Sequence, residues 1–193
     1  MPTTFHDADA LTSALLAEVT RAYHPRLAEA GVIVGVLMAR HSDSDKPALK
    51  HGGYAVLATM KPESAIERAK WGRDALLKID DREWEGLGDD RREALLDHEL
   101  SRIDRIDLKG DELRAAVEDG SPRWKIDDRG RPKLRSVPGD FNVGDAFNAV
   151  IARHGYAAIE YRNIQHGIRS ADLARQLGEQ QRASEAREQE DAA

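Results

Sequence analysis

The sequence predicts an α+β domain with a small, mainly antiparallel sheet and one central helix. Apolar residues four positions apart, at Leu11, Leu15 and Val19, are typical of the buried face of a helix. Residues 32–38 form a short β-branched run of the kind found in buried strands. Because both patterns recur along the chain, a mixed fold class is expected.

The first half of the chain contains the predicted sheet. Asp9 is placed to cap a helix that ends at Gly31, and residues 32–38 then form the first strand. Residues 54–60 form a second strand, antiparallel to the first if the intervening loop simply reverses the chain. A short helix is expected over residues 62–70. The segment that follows it, residues 74–80, is compatible with a third strand.

The second half begins with the predicted central helix, which Asp89 is placed to cap and which extends to about Ile106. Three segments that alternate with turn residues predict a small β-meander: residues 113–119, 123–128 and 131–136. A last helix is expected over residues 142–154, closed by Gly155.

The composition limits the classes of protein to consider. The 193 residues fit one domain, assigned to residues 1–168, with a polar tail at residues 169–193 that is helical or disordered. A net charge of −6 gives no general attraction for nucleic acid. Neither a membrane span nor a signal peptide is apparent, so we expect a cytoplasmic protein. The chain has no cysteine, so any metal must be held by His, Asp or Glu.

The most informative pattern lies in residues 94–103, where His98 is followed by Glu99 and, four positions after His98, by Arg102. In the zinc-peptidase motif His-Glu-x-x-His, two histidines one helical turn apart bind zinc, and the glutamate activates a zinc-bound water. Arg102 stands in the second histidine position, and its protonated guanidinium has no lone pair for a metal. The pattern therefore predicts a metallopeptidase-like helix with impaired or lost zinc chemistry.

Glu99 has two interpretations. When successive helical residues are placed about 100° apart, Glu99 falls on the same apolar face as Leu95 and Ile103. A carboxylate on a face that packs against the core needs a partner or a purpose, because its desolvation is costly. It could act as a general base beside a metal. It could also form a structural ion pair with Arg102, which is three positions further along the helix.

Several segments, in order and at similar spacing, resemble the family of putative phage metallopeptidases, relatives of the SprT-like zincins. The resemblance runs from about His51 to Gly155, and its closest part is the helical segment at residues 92–100. The other segments that carry it are residues 51–58, residues 74–80 with Trp84 and Leu87, residues 138–141, Phe147, and residues 153–156.

This resemblance implies a zincin-like core, a phage or prophage origin and a setting in the bacterial cytoplasm. It also implies a zinc site formed by His98 and a later ligand, with Glu99 activating water. Relatives have a His-Asp pair at the later position. This chain has a glycine in place of that histidine, which leaves Asp140 as the candidate oxygen ligand. His154 is a further candidate at the site, although a histidine at a helix end is commonly a capping residue.

Two classes of function remain open from the sequence. In the first, the protein is a zinc-dependent peptidase that acts on a protein substrate, with His98 and Asp140 as metal ligands and Glu99 as the catalytic residue. In the second, it is a catalytically degenerate relative that keeps the fold as a binding module for a host protein. Zinc is the cofactor that the resemblance implies, and Arg102 favours the second class because it removes a ligand.

A second feature is a possible basic patch. Arg129, Arg131, Lys133 and Arg135 alternate as they would on one face of a strand. Most such faces are merely solvated, whereas a functional one would bind an acidic partner or a phosphate backbone.

Overall fold

The computed structural model describes residues 2–139 and 147–159 and confirms the α+β class. Within these ranges, the strands are β1 (Thr3–Asp7), β2 (Val34–His41), β3 (Lys50–His51), β4 (Tyr54–Ala55), β5 (Ala58–Pro62), β6 (Ala75–Asp80), β7 (Ile103–Arg105) and β8 (Leu134–Ser136). The α-helices are α1 (Ala10–Tyr23), α2 (Pro25–Glu29), α3 (Ala65–Trp71), α4 (Asp81–Glu85), α5 (Asp89–Ser101), α6 (Gly110–Glu118) and α7 (Asn148–His154). In the described part of the chain, no helix is both long and apolar enough to cross a membrane.

The main sheet has four strands in the order β1-β2-β6-β5. Its central strands, β2 and β6, are parallel, and each outer strand is antiparallel to its neighbour, so the sheet is mainly antiparallel as predicted. The prediction for residues 54–60 was only partly right. The segment contains β4 and the start of β5 rather than one strand, and neither pairs with β2: β4 pairs with β3, and β6 lies between β5 and β2. Five of the six β6 residues are buried, which suits the centre of a sheet better than its edge.

The first predicted helix is confirmed at its start and divided near its end. Asp9 caps α1 by accepting a 2.7 Å hydrogen bond from the Thr12 amide. The helix does not continue unbroken to Gly31. Pro25 has no amide hydrogen with which to continue α1, and it begins the separate helix α2 instead. His24 lies at this junction, where its ring reaches α5.

The central helix is shorter than predicted. It begins at Asp89, with Gly88 rather than Asp89 as the N-cap, and it ends at Ser101, with Arg102 as the C-cap. The chain then passes directly into β7, which pairs with β8. Ile103 is buried in the main core, but as a strand residue rather than as part of a continued helical face.

The predicted β-meander is largely wrong. Residues 113–118 belong to α6, whose apolar side chains at Leu113 and Ala116 are three positions apart, as on a helix face. Residues 123–128 form only isolated bridges, and only the last three residues of the 131–136 segment form β8.

The last predicted helix is confirmed in its described part, α7. Gly155 ends it with a φ of +51°, a conformation that favours glycine. Asp140 and residues 141–146 lie outside the described residues, and so does the predicted tail at residues 169–193.

Two residues of the predicted basic patch, Arg131 and Arg135, form ion pairs with acidic residues of the domain. Arg131 Nη2 lies 2.6 Å from an Asp74 carboxylate oxygen, and Arg68 Nη2 lies 2.9 Å from the other. Arg135 Nη2 lies 3.2 Å from Asp104. These contacts hold the 124–136 segment against the rest of the domain, so at least two of the four cations have structural partners.

Helix α5 occupies the centre of the domain, in contact with α1, β5 and α7. All residues from 94 to 100 are buried, so the second half of this helix is enclosed on every side. Leu95, Leu96 and Leu100 belong to the main hydrophobic core. Three polar residues occupy the remaining positions between them, and they form the candidate site.

Candidate functional site

Three consecutive polar residues, Asp97, His98 and Glu99, are buried on α5, with exposed fractions of 0%, 4% and 3%. Consecutive side chains on a helix point about 100° apart, so each of the three meets different surroundings. Burying charged or polar side chains in this way is costly unless each has partners. The site is therefore best understood from the partners of each residue.

His98 is held by Arg102. The Nη2 atom of Arg102 lies 3.0 Å from His98 Nε2. A guanidinium can only donate, so Nε2 accepts this hydrogen bond and the ring proton of the neutral imidazole lies on Nδ1. The Phe147 ring packs edge-to-face on the imidazole, with centroids 5.3 Å apart. The nitrogen lone pair of His98 that faces Arg102 is thus already engaged.

Glu99 lies on the other side of the same guanidinium. Its Oε1 atom is 3.4 Å from Arg102 Nε and 3.7 Å from His98 Nε2. No donor among the described residues forms a hydrogen bond to its Oε2 atom. Burial raises the pKa of Glu99 above its ordinary value, and the nearby His98 and Arg102 offset this only in part.

Arg102 therefore bridges the two residues that the zinc-peptidase motif places at its metal. The structure brings together His98, Glu99 and Arg102, as the sequence predicts. The ion-pair partner predicted for Glu99 is in place, since Arg102 Nε lies 3.4 Å from Glu99 Oε1.

The described residues do not fit a zinc ion in this arrangement. A zinc site needs three or more neutral or anionic donors, and no group of three His, Asp or Glu residues in the described ranges is placed to hold a metal. A fixed cation stands 3.0 Å from the candidate ligand atom of His98 and would repel a second cation. Asp140, the predicted oxygen ligand, lies outside the described residues.

His154, a candidate at the zinc site from the sequence, contacts Asp97. Its Nε2 atom lies 2.9 Å from Asp97 Oδ2, so the ring faces Asp97. His154 also lies in the last turn of α7, the position considered for a histidine that stabilises a helix end.

Asp97 is the residue that sequence reasoning missed. Its Oδ1 atom lies 2.8 Å from His24 Nε2, and Arg153 binds both carboxylate oxygens at 2.7 Å. With His154, three side chains from two other parts of the chain converge on one buried carboxylate. Burial opposes the ionisation of Asp97. The hydrogen bonds from His24 and Arg153 outweigh that effect and hold the pKa of this carboxyl well below its usual range.

A second layer surrounds this carboxylate. The Tyr23 hydroxyl donates a 2.7 Å hydrogen bond to Glu93, and the Tyr23 ring packs edge-to-face on His154 with centroids 5.4 Å apart. The Arg153 guanidinium lies 5.1 Å from the centroid of the same ring. The sequence signal that could have identified Asp97 was its position among leucines on the central helix. A carboxylate there needs a partner because its desolvation is costly, as for Glu99.

The profile of the family described as "Putative phage metallopeptidase" matches residues 5–172, and the chain belongs to this family. No curated protein matches the chain, and no solved structure matches it. Family membership connects the protein with metallopeptidases and hence with a class that uses a metal.

The buried carboxylate of Asp97, bound by three side chains, predicts that removing its charge lowers the stability of the fold. We expect Asp97→Asn to lower the free energy of unfolding by about 1.5 to 3 kcal/mol, because it removes the charge that Arg153 binds and one of the two oxygens that accept hydrogen bonds at this buried position. Urea denaturation measures this change. The matched control is Asp89→Asn on the same helix, whose side chain is 98% exposed and which should change stability little. Equal effects of the two variants would contradict the assignment.

The lowered pKa of Asp97 also predicts a pH dependence. The stability that an ionised Asp97 contributes is fully present above its unfolded-state pKa, near 3.8, and is lost as the pH falls below that value towards the lowered folded-state pKa. We therefore expect the difference in unfolding free energy between wild type and Asp97→Asn to shrink as the pH is lowered through this window. Denaturation curves at a series of acidic pH values measure it. A difference that stays constant there would show that the charge of Asp97 is not what stabilises the fold.

Proposed function

We propose that this protein is a member of the phage metallopeptidase family that has lost zinc-dependent hydrolysis and keeps the fold to bind another protein. The observation that carries the proposal is the position of Arg102. Its guanidinium donates to the Nε2 atom of His98 at 3.0 Å and pairs with Glu99 at 3.4 Å. It stands in the motif position of the second histidine ligand.

The charge of Arg102 supplies what the metal would supply to the fold. A buried Glu99 needs a nearby cation, and a guanidinium stays protonated at any pH at which the protein is folded. His98 needs a partner for its nitrogen, and the same guanidinium provides one. Arg102 can thus stabilise this pair of residues without a metal.

The same contacts work against hydrolysis. A general base must reach a water molecule held next to the substrate. Glu99 is almost completely buried, and its Oε1 atom is engaged by Arg102. Within the described residues, the chemistry that remains at this site is ion pairing and hydrogen bonding.

A single substitution tests the proposal by restoring the motif. We expect the wild-type protein, purified without an affinity tag or chelator, to contain well below one zinc per chain by elemental mass spectrometry. Arg102→His should raise the zinc content, because it provides a second imidazole one turn from His98. Arg102→Lys is the matched control, since it also removes the guanidinium but offers a protonated amine that does not bind zinc at neutral pH.

Stoichiometric zinc in the wild type, lost in His98→Ala, would overturn the proposal, and so would casein hydrolysis that Glu99→Gln abolishes. Either result would favour an active peptidase that uses His98, Glu99 and a further ligand such as Asp140.

The bridging role of Arg102 also predicts an energetic coupling. We expect Arg102→Ala to destabilise the fold by about 1 to 3 kcal/mol, because it removes one donor from both the buried Glu99 carboxylate and the His98 nitrogen. Adding Glu99→Gln should recover part of this loss, since the neutral amide is cheaper to bury alone. A double-mutant cycle from urea denaturation measures the coupling. Strictly additive effects would show that the two side chains do not depend on each other.

A further inference from the structure

A groove lies at the opposite end of α5 from His98, where this helix begins. Its volume is about 650 Å³, and its walls come from β1 and the first turns of α1, together with α4 and the start of α5. Asp89 and His98 are nine positions apart in the chain, which is about 14 Å along a helix. The groove is therefore distinct from the His98–Glu99–Arg102 site.

The floor of the groove is apolar. Met38 and Trp84 are buried beneath it, and Leu15 lies partly buried on the α1 side. Leu11, at the start of α1, is 80% exposed on the wall. A large apolar side chain left in water beside an apolar floor gains free energy when another apolar group covers it.

The rim of the groove is acidic. Its five carboxylates belong to Asp7, Asp9, Asp81, Glu85 and Asp89. Internal partners satisfy three of them: Asp9 caps α1, and Asp81 and Glu85 both pair with Arg40.

The other two, Asp7 and Asp89, carry the charge that faces solvent. Among the described residues, Asp89 has one long i,i+3 contact, 3.6 Å from Arg92. Two basic residues, His6 and Arg92, also line the groove, and the Nε and Nη2 atoms of Arg92 lie 3.2 Å from the Trp84 carbonyl oxygen. The groove therefore presents negative charge around an apolar centre, which is complementary to a cationic and partly apolar partner.

The geometry of β1 indicates the shape of that partner. β1 is an outer strand of the four-stranded sheet and pairs only with β2 among the described residues. An outer strand can accept an extended polypeptide beside it through main-chain hydrogen bonds. In an extended segment, alternate side chains point in opposite directions, so one set can face the apolar floor while the other reaches the rim.

We propose that this groove binds an extended segment of a partner protein in which Lys or Arg residues alternate with apolar residues. The inference rests on the protein-binding half of the proposed function and does not depend on the loss of zinc. Stoichiometric zinc in the wild type would contradict only the proposed loss of zinc chemistry. Absence of peptide binding would contradict only the proposed binding groove.

The experiment uses the full chain and a defined probe, a fluorescein-labelled peptide of sequence Lys-Leu-Lys-Val-Arg-Leu-Lys, in a fluorescence anisotropy titration. The same peptide with Glu at every basic position is the negative control. We expect the basic peptide to bind, and to bind more weakly as salt is added, because exposed charges are screened. We also expect it to shift the indole NMR signal of Trp84, assigned with Trp84→Phe, which places the peptide at the groove floor.

Matched variants separate the groove from general charge attraction. Asp7→Asn with Asp89→Asn should weaken binding by about tenfold, the size expected for two exposed ion pairs. Asp111→Asn with Glu118→Gln removes the same charge from α6, with Asp111 also in the first turn of its helix, and should change the Kd by less than about twofold.

A second pair of variants tests the apolar contact. Leu11→Ser should weaken binding by about fivefold through lost apolar contact. Its control is Ile66→Ser on α3, which removes a side chain of equal exposure, 81%, outside the groove. Neither substitution removes a core residue, so both variants should fold.

Equal weakening by the groove and α6 charge variants would overturn the proposal, because it would show general charge attraction only. So would an unshifted Trp84 signal at saturation. Analytical ultracentrifugation of the wild type and the Leu11→Ser variant adds a third test. A self-association that Leu11→Ser abolishes would assign the groove to a second copy of this chain and would also contradict the proposal.

Discussion

The carboxylate of Asp97 receives hydrogen bonds from His24, Arg153 and His154, and the rest of the domain is arranged around this requirement. An ionised group with no exposed surface is stable only when its neighbours supply full compensation. Those neighbours come from the α1–α2 junction and from α7. The buried charge therefore fixes where both flanking segments meet the central helix, and it keeps α7 against the half of α5 that carries His98 and Glu99.

His98 and Glu99, the next two residues on α5, are also buried polar groups that need partners, and a different kind of partner meets this requirement. A zinc site satisfies a buried histidine and glutamate with a metal and a water, whereas here one guanidinium contacts both. A guanidinium is covalently attached and permanently charged, so the site is complete as soon as the chain folds. The same features that make Arg102 a good structural partner make it a poor neighbour for a metal. The proposed loss of hydrolysis therefore depends on this one residue.

The two ends of α5 differ in their relation to solvent. The C-terminal half is enclosed, and each of its polar side chains is directed to partners inside the domain. The N-terminal turn is open, and its acidic residues Asp89 and Asp90 are favourably placed at the positive end of the helix dipole. An exposed and charged first turn is well suited to bind a partner at that end of the helix.

The sequence by itself determined the fold class, the buried strands β2 and β6, the Asp9 cap and the joint placement of His98, Glu99 and Arg102. These features depend on local spacing, and residues three or four apart on a helix must be neighbours whatever the rest of the chain does. Tertiary structure alone decided the strand order, in which β6 separates β2 from β5. It also decided the end of α5 at Ser101 and the partners of Asp97. Those partners are 56, 57 and 73 residues away in the chain, and no periodicity encodes such contacts.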